Sequence, residues 1–235
     1  MLLVGAFVVP VTFVVYFYEY VRHREISLPV LTSCFFVGGM LGLLTAGVLE
    51  FATLGNLGFG RLVGISVIEE GVKLIFPLAM YIAWQYRHEA DGLLFGVAAG
   101  MGFAALETMG YALASLIQSR GEAGIFQQVL IARGLLSPAG HAAWTGLICA
   151  ALWRRRLQSQ RFLNLSVIGT FLIAVILHTL WNMVSLSDLK TASGLTLFFT
   201  GLASIGILSL TMVIRRFQAA RRSLERVTAE TTLAE

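Results

Sequence analysis

Charged side chains are scarce in this chain of 235 residues. Asp, Glu, Lys and Arg together make up 13% of it, whereas apolar residues make up 57%. Soluble domains carry about 25% charged and about 45–50% apolar residues, so the composition excludes a sizeable soluble domain. A membrane-spanning helix needs about 20 mostly apolar residues, and the chain has room for about six to eight of them. The sequence therefore predicts an all-α, polytopic transmembrane helix bundle.

Cysteine is equally rare, because only Cys34 and Cys149 are present, both in apolar runs. Two such residues form no disulfide framework and no zinc-finger spacing. The net charge of +4 comes from arginines at the ends of apolar runs. That distribution is typical of membrane proteins in contact with anionic lipid. We therefore expect membrane lipid as a partner and no nucleic acid.

Apolar runs separated by short polar turns predict about seven spans. The expected spans are 1–20, 28–51, 57–84, 92–118, 125–153, 162–184 and 195–214. The first lacks a basic segment and a cleavage site, so we expect an uncleaved span rather than a signal peptide. Pro77 and Pro138 are expected to interrupt the third and fifth spans, because proline removes a backbone hydrogen bond. Residues 1–214 are expected to form one transmembrane domain, and residues 215–235 a basic tail.

The arginines also predict an orientation. They cluster after the first span, after the fifth span and in the tail, and these three regions lie on one side of a seven-span bundle. Cytoplasmic turns of membrane proteins carry the excess of Lys and Arg. We therefore expect an integral, multi-pass membrane protein with its N-terminus outside and its C-terminus in the cytoplasm.

Ionisable residues inside the apolar third span form the first candidate site. Glu69, Glu70 and Lys73 are spaced so that, on a helix, the lysine lies beside both carboxylates. Ionisable side chains at membrane depth are costly, and function is the default hypothesis for them. The alternative is a buried ion pair that only stabilises helix packing.

Further polar residues fall at membrane depth in the spans that follow. A helical rise of about 1.5 Å per residue places most of them near the middle of the membrane. They are Glu107, Arg133, His141, His178 and Asn182. We expect a single cavity with Asn182 at its rim, lined by Glu69, Glu70, Glu107, His141 and His178.

Two chemistries suit such a cluster, and both hydrolyse peptide bonds. The imidazoles and carboxylates could bind a divalent metal such as zinc. Alternatively, a glutamate could activate water while His and Asn stabilise an oxyanion. A proton- or ion-coupled transporter and a non-catalytic membrane scaffold are the competing function classes. No paired broken-helix repeat in the sequence supports the transporter.

Four motifs, in order, resemble those of one protein family. They are E-E-x-x-K at 69–73, F-x-x-x-E at 103–107, the single His141, and H-x-x-x-N at 178–182. Together with the run 91–111, they resemble the PrsW family of bacterial intramembrane proteases. This family shares a superfamily with CAAX-prenyl endopeptidases and bacteriocin-processing enzymes. Glu107 favours the PrsW branch, whereas Asn182 matches the CAAX branch and fits an oxyanion donor better than a metal ligand.

The resemblance extends from about Glu69 to Asn182, without the first two spans and the tail, and implies that the transmembrane domain of residues 1–214 is a protease of the bacterial cell membrane. Its substrates would be membrane-associated, single-span proteins, and the best-known role of the family is the first cut in an anti-sigma factor. The implied catalytic residues are Glu69, Glu70, Glu107, His141, His178 and Asn182, with Lys73 and Arg133 in support. The family is classed with metalloproteases, which favours zinc held by His141, His178 and Glu107. A glutamate mechanism without metal is the alternative.

Overall fold

The chain folds into a bundle of α-helices without strands in the part that the structure covers. The structure, a computed structural model, describes residues 1–21, 26–55, 59–158 and 165–234. The helices are α1 (Leu2–Tyr20), α2 (Leu28–Ser33), α3 (Gly39–Thr53), α4 (Phe59–Val72), α5 (Ile75–Ile82), α6 (Glu89–Gln118), α7 (Ala123–Leu136), α8 (His141–Gln158), α9 (Leu165–Ser185) and α10 (Ala192–Ala234). A π-helical stretch, Cys34–Gly38, joins α2 to α3, and a 3₁₀ turn, Ser137–Ala139, joins α7 to α8.

The predicted all-α membrane bundle is confirmed. Six helical stretches of the described chain are long and apolar enough to cross a membrane. They are Leu2–Tyr20, Leu28–Thr53, Glu89–Gln118, Ala123–Arg154, Leu165–Ser185 and Ala192–Arg226. The predicted third span is instead divided between α4 and α5, each too short to cross alone. End to end, these two helices extend about 36 Å at 1.5 Å per residue, which is enough for one crossing.

Pro77 accounts for the division of the third span. In an unbroken helix, the N–H of residue 77 would bond to the carbonyl of Lys73, but proline has no N–H and its ring clashes with that carbonyl. The chain leaves the α-helical path at this point, where the Leu74 N–H donates to the Gly71 carbonyl at 3.2 Å. The predicted interruption is therefore confirmed, and it leaves Lys73 at the end of α4.

Helix α6 is the centre of the bundle, and small residues let its neighbours approach closely. It packs most extensively against α8 and is buried over most of its length. A Cβ atom at Gly96 would lie 2.6 Å from the carbonyl oxygen of Thr145 in α8. A Cβ at Gly100 would overlap the carbonyl oxygen of His141. Glycine at these positions therefore fixes the distance between α6 and the start of α8.

Gly100→Ala is expected to destabilise the protein by about 1–3 kcal/mol, because the added methyl group overpacks the α6–α8 contact. It should also lower activity, since it displaces the backbone of His141. Gly110→Ala is the matched control on the same helix, because a Cβ there meets nothing within 4 Å. Thermal unfolding in detergent checks the prediction. Equal melting temperatures for the two variants would contradict it.

The predicted boundary between residues 214 and 215 falls inside α10. Helix α10 continues through it, and the Phe217 ring stacks on that of Phe17 with centroids 3.9 Å apart. Arg216 forms an ion pair with Glu89 at the start of α6. The first turns of the basic tail are thus packed against the bundle, while the domain boundary itself stays a prediction. Of the arginines that predicted the orientation, Arg22, Arg24, the side chain of Arg155, and Arg161 lie outside the described residues.

Candidate active site

Lys73 is the centre of a buried cluster at the end of α4. Its Nζ lies 2.8 Å from Glu70 Oε1, 3.2 Å from Glu69 Oε2 and 2.7 Å from His141 Nδ1. The Lys73 and Glu70 side chains are fully buried, and that of Glu69 is 8% exposed. Charges removed from water to this extent are tolerated only when they are paired and hydrogen-bonded. The predicted contact of one lysine with both carboxylates is therefore confirmed.

Glu70 is the most completely bonded carboxylate of the site. Besides Lys73, it accepts hydrogen bonds from His178 Nδ1 at 2.9 Å and from Thr145 Oγ1 at 3.2 Å. Thr145 was missed in the sequence, although it lies one helical turn after His141 and therefore on the same face of α8. With these partners in place, Glu70 fixes the position of His178 and Lys73.

Glu69 differs from its neighbour because it reaches open space. It lines a cavity of about 300 Å³ between α3, α4 and α6, hereafter the acidic cavity, which Glu50 and Glu107 also line. Its Oε2 atom lies 3.7 Å from His178 Nε2. Adjacent helical residues point about 100° apart, which is why only one of the two glutamates faces this cavity. Of the adjacent pair Glu69 and Glu70, Glu69 is thus the one that a water molecule in this cavity can approach.

His141 joins the lysine cluster to a second ion pair. Its Nε2 lies 3.2 Å from Glu107 Oε2, and the same oxygen accepts a hydrogen bond from Arg133 Nη2 at 2.6 Å. The Arg133 guanidinium lies 4.0 Å from the centroid of the Tyr111 ring. Glu107 and Arg133, from α6 and α7, therefore hold one edge of the His141 ring, and Lys73 contacts the other.

The His178 ring is packed against other aromatic rings as well as hydrogen-bonded through its nitrogen. The Trp144 ring stacks on it with centroids 4.7 Å apart, and the His141 ring meets it edge-on at 5.4 Å. Trp144 in turn donates a hydrogen bond from Nε1 to Ser209 Oγ at 3.0 Å. Trp144 therefore packs against a candidate catalytic histidine and is itself held in place by Ser209.

Five of the six candidates converge as expected, but not on a single cavity: Glu69 and Glu107 line the acidic cavity, His141 lines a different one, and Glu70 and His178 line neither. Contacts link Glu69, Glu70, Glu107, His141 and His178 into one network. Asn182 lies one turn beyond His178 on α9 and is half-buried, and no described side chain hydrogen-bonds to it. Its place at the rim of the site and the catalytic roles of all six stay predictions.

Three residues of this network could hold a metal ion. Donor atoms of Glu69, His141 and His178 lie within 4.8 Å of one another. Two imidazoles and one carboxylate are the protein ligands of one class of catalytic zinc site, in which the fourth position is left open for water or substrate. The hydrogen bonds of Glu107 to His141 and of Glu70 to His178 resemble the carboxylate contacts that orient metal-binding imidazoles. Binding through Nδ1 of His141 requires Lys73 to withdraw, since its Nζ contacts that atom.

Glu107 lies outside this donor group, although it was the third ligand expected from the resemblance. Its Oε2 atom is already bonded to Arg133 and His141. Glu69 takes its place as the carboxylate donor. The spacing along the chain does not distinguish the two, because they stand on different helices.

Comparison with known proteins finds a family that matches most of the chain. Residues 26–215 match the model of the PrsW family of intramembrane metalloproteases. The match covers more than three-quarters of the chain and includes every candidate site residue, so the resemblance seen in the motifs is confirmed. No curated protein and no solved structure matches the chain. The chain therefore belongs to the PrsW family of intramembrane metalloproteases and is an integral, multi-pass membrane protein.

Proposed function

We propose that this protein hydrolyses a peptide bond of a membrane-associated, single-span protein, using a water molecule activated at Glu69. The observation that supports this most directly is the position of Glu69. It belongs to the buried cluster around Lys73 and also lines the acidic cavity. A carboxylate so placed can accept a proton from water as a general base. By the resemblance, an anti-sigma factor is the first substrate class to test.

The other residues of the cluster support this step by position and charge. Glu70 holds Nδ1 of His178, which leaves Nε2 directed toward Glu69. His178, carrying a proton on each nitrogen, would donate from Nε2 to the negative charge that develops on the substrate carbonyl, with Asn182 assisting, and His141 would share its Nε2–H between that oxygen and Glu107. Glu107 and Arg133 fix the His141 ring for the same purpose. Lys73 supplies the positive charge that allows the Glu69 and Glu70 carboxylates to be buried.

A metal form of the proposal uses the same residues. Glu69, His141 and His178 would hold the ion, and zinc suits this donor set. Bound zinc would lower the pKa of its water and polarise the scissile carbonyl. Glu69 is essential in both forms, as the base without metal and as a ligand with it.

Purified full-length protein in liposomes is expected to cleave a single-span substrate. Glu70→Gln and His178→Ala should each abolish the products seen by mass spectrometry. Chelation followed by metal analysis separates the two forms, because a zinc enzyme loses activity with its metal. Full activity in metal-free protein would eliminate zinc.

The same liposomes test the competing functions. Interrupted helices next to polar residues also occur in transporters, so proton flux is measured alongside cleavage. Flux without cleavage would support a transporter. If the liposomes show neither proton flux nor cleavage, the non-catalytic membrane scaffold is the remaining function class.

We also propose that the N-terminus faces outward and the C-terminus the cytoplasm of a bacterial cell. Both native cysteines are buried, so introduced cysteines can be labelled against a low background. A membrane-impermeant maleimide added to cells is expected to label Lys190→Cys, in the turn before α10, and to leave Ser223→Cys, near its end, unlabelled. Labelling of Ser223→Cys from outside would overturn this orientation.

A further inference from the structure

A second cavity, separate from the acidic cavity, opens beside His141. It has a volume of about 190 Å³ and lies among α6, α7, α8, α9 and α10. We call it the aromatic cavity, since it is lined by Trp144, Trp181 and Phe198 together with Arg133, His141 and Leu202. The two cavities share no lining residue, and the Glu107–His141 contact joins the wall of one to the wall of the other.

The volume of the aromatic cavity limits what it can hold. An apolar cavity of about 150 Å³ can bind benzene, whereas sites for small-molecule ligands usually measure about 300–1,000 Å³. The aromatic cavity therefore has room for one aromatic or branched side chain. It has no room for a helix.

Arg133, which lines the aromatic cavity, has one hydrogen-bond donor without a partner. Its Nη2 is taken by Glu107 and its guanidinium lies over Tyr111, yet its buried Nε has no acceptor among the described residues. A buried N–H of this kind is normally hydrogen-bonded. A backbone carbonyl would supply the acceptor. A carbonyl released from its helical hydrogen bond has both lone pairs free and can turn toward the donor, so a locally unwound segment suits this site better than an intact helix.

We propose that the aromatic cavity binds the substrate next to the bond that is cut. One large apolar side chain enters among Trp144, Trp181 and Phe198, and Arg133 Nε donates a hydrogen bond to a carbonyl of the locally unwound chain. His141 then lies between this residue and the acidic cavity, from which water reaches Glu69. This proposal rests on the proposed function and adds the substrate class: a spanning segment with a large apolar residue beside the cut.

Cleavage of a substrate series tests the side-chain preference. The residues flanking the cut are varied among Ala, Leu, Phe and Trp, and kcat/KM is measured for each. The native protein should prefer Leu or Phe to Ala by about 10–100-fold at one position, the range that hydrophobic pockets achieve. Ala132→Phe narrows the cavity and should reduce this preference about tenfold or more. Ile131→Phe is the control, because Ile131 is 61% exposed and does not line the cavity. Equal preference in all three proteins would overturn the proposal.

Crosslinking tests binding without relying on cleavage. A photoreactive phenylalanine is placed at position 198, which lines the cavity, or at position 199, which is 63% exposed. The protein carries Glu69→Gln so that bound substrate persists. Crosslinks to substrate from 198 and not from 199 support binding in the aromatic cavity. The same crosslinks from a protein that cleaves nothing would support this binding site and refute the proposed function. Crosslinks to lipid alone from both positions would overturn the proposed binding in the aromatic cavity.

Discussion

Glu69→Gln is expected to reduce kcat/KM by at least about a hundredfold, the lower end of what a general base contributes. Glutamine keeps the size of the side chain and removes its ability to accept a proton. The fold should survive, because Lys73 retains its 2.8 Å contact with Glu70. Initial cleavage rates, measured with the melting temperature of the same preparation, check both parts of this prediction.

Glu50→Gln is the matched control for this loss. Glu50 lines the same acidic cavity and is half-buried, but it belongs to a different helix, α3. Removing its charge changes the cavity without touching the cluster around Lys73. We expect nearly full activity. An equal loss in the two variants would mean that the charge of the cavity matters rather than the position of Glu69.

Contacts within one helix were the most predictable part of the site. Residues three and four apart on a helix are neighbours, so the sequence alone places Lys73 beside Glu69 and Glu70. The break near Pro77 was predictable for a similar reason, because proline removes a specific hydrogen bond of its own helix. Both results depend only on local geometry. They do not depend on how the other helices pack.

Contacts between helices were predictable only in part. Membrane depth indicated that five polar residues would converge, because it limits each residue to one level of the bundle. Depth says nothing about the rotation of each helix about its axis. The choice of Glu69 over Glu107 in the metal-binding group, and the contact of Thr145 with Glu70, depend on that rotation. It is set by helix packing, such as the close approach of α6 and α8 at Gly96 and Gly100.

Glu70→Gln is expected to reduce stability as well as activity, which distinguishes it from Glu69→Gln. It removes the closest counter-charge of a fully buried lysine. Breaking a buried ion pair by removing one partner costs about 3–5 kcal/mol, because the remaining charge is left without full compensation. The melting temperature should fall by about 10 °C for a chain of this length. Thermal unfolding in detergent measures the fall, with Glu69→Gln as the reference.

The double variant Glu70→Gln/Lys73→Met identifies the cause of that fall. Methionine fills the space of the lysine stem without a charge, and replacing a whole buried pair by uncharged residues is often neutral or stabilising. The glutamine oxygen can still accept from His178 Nδ1 in the place of Oε1, and its amide nitrogen, in the place of Oε2, can donate to the Thr145 hydroxyl. The double variant should therefore recover most of the lost melting temperature and remain inactive, since Nδ1 of His178 no longer contacts a charged carboxylate. The double variant could instead be as unstable as Glu70→Gln alone. That result would mean that Glu70 stabilises the fold through its hydrogen bonds to His178 and Thr145, and not by compensating the charge of Lys73.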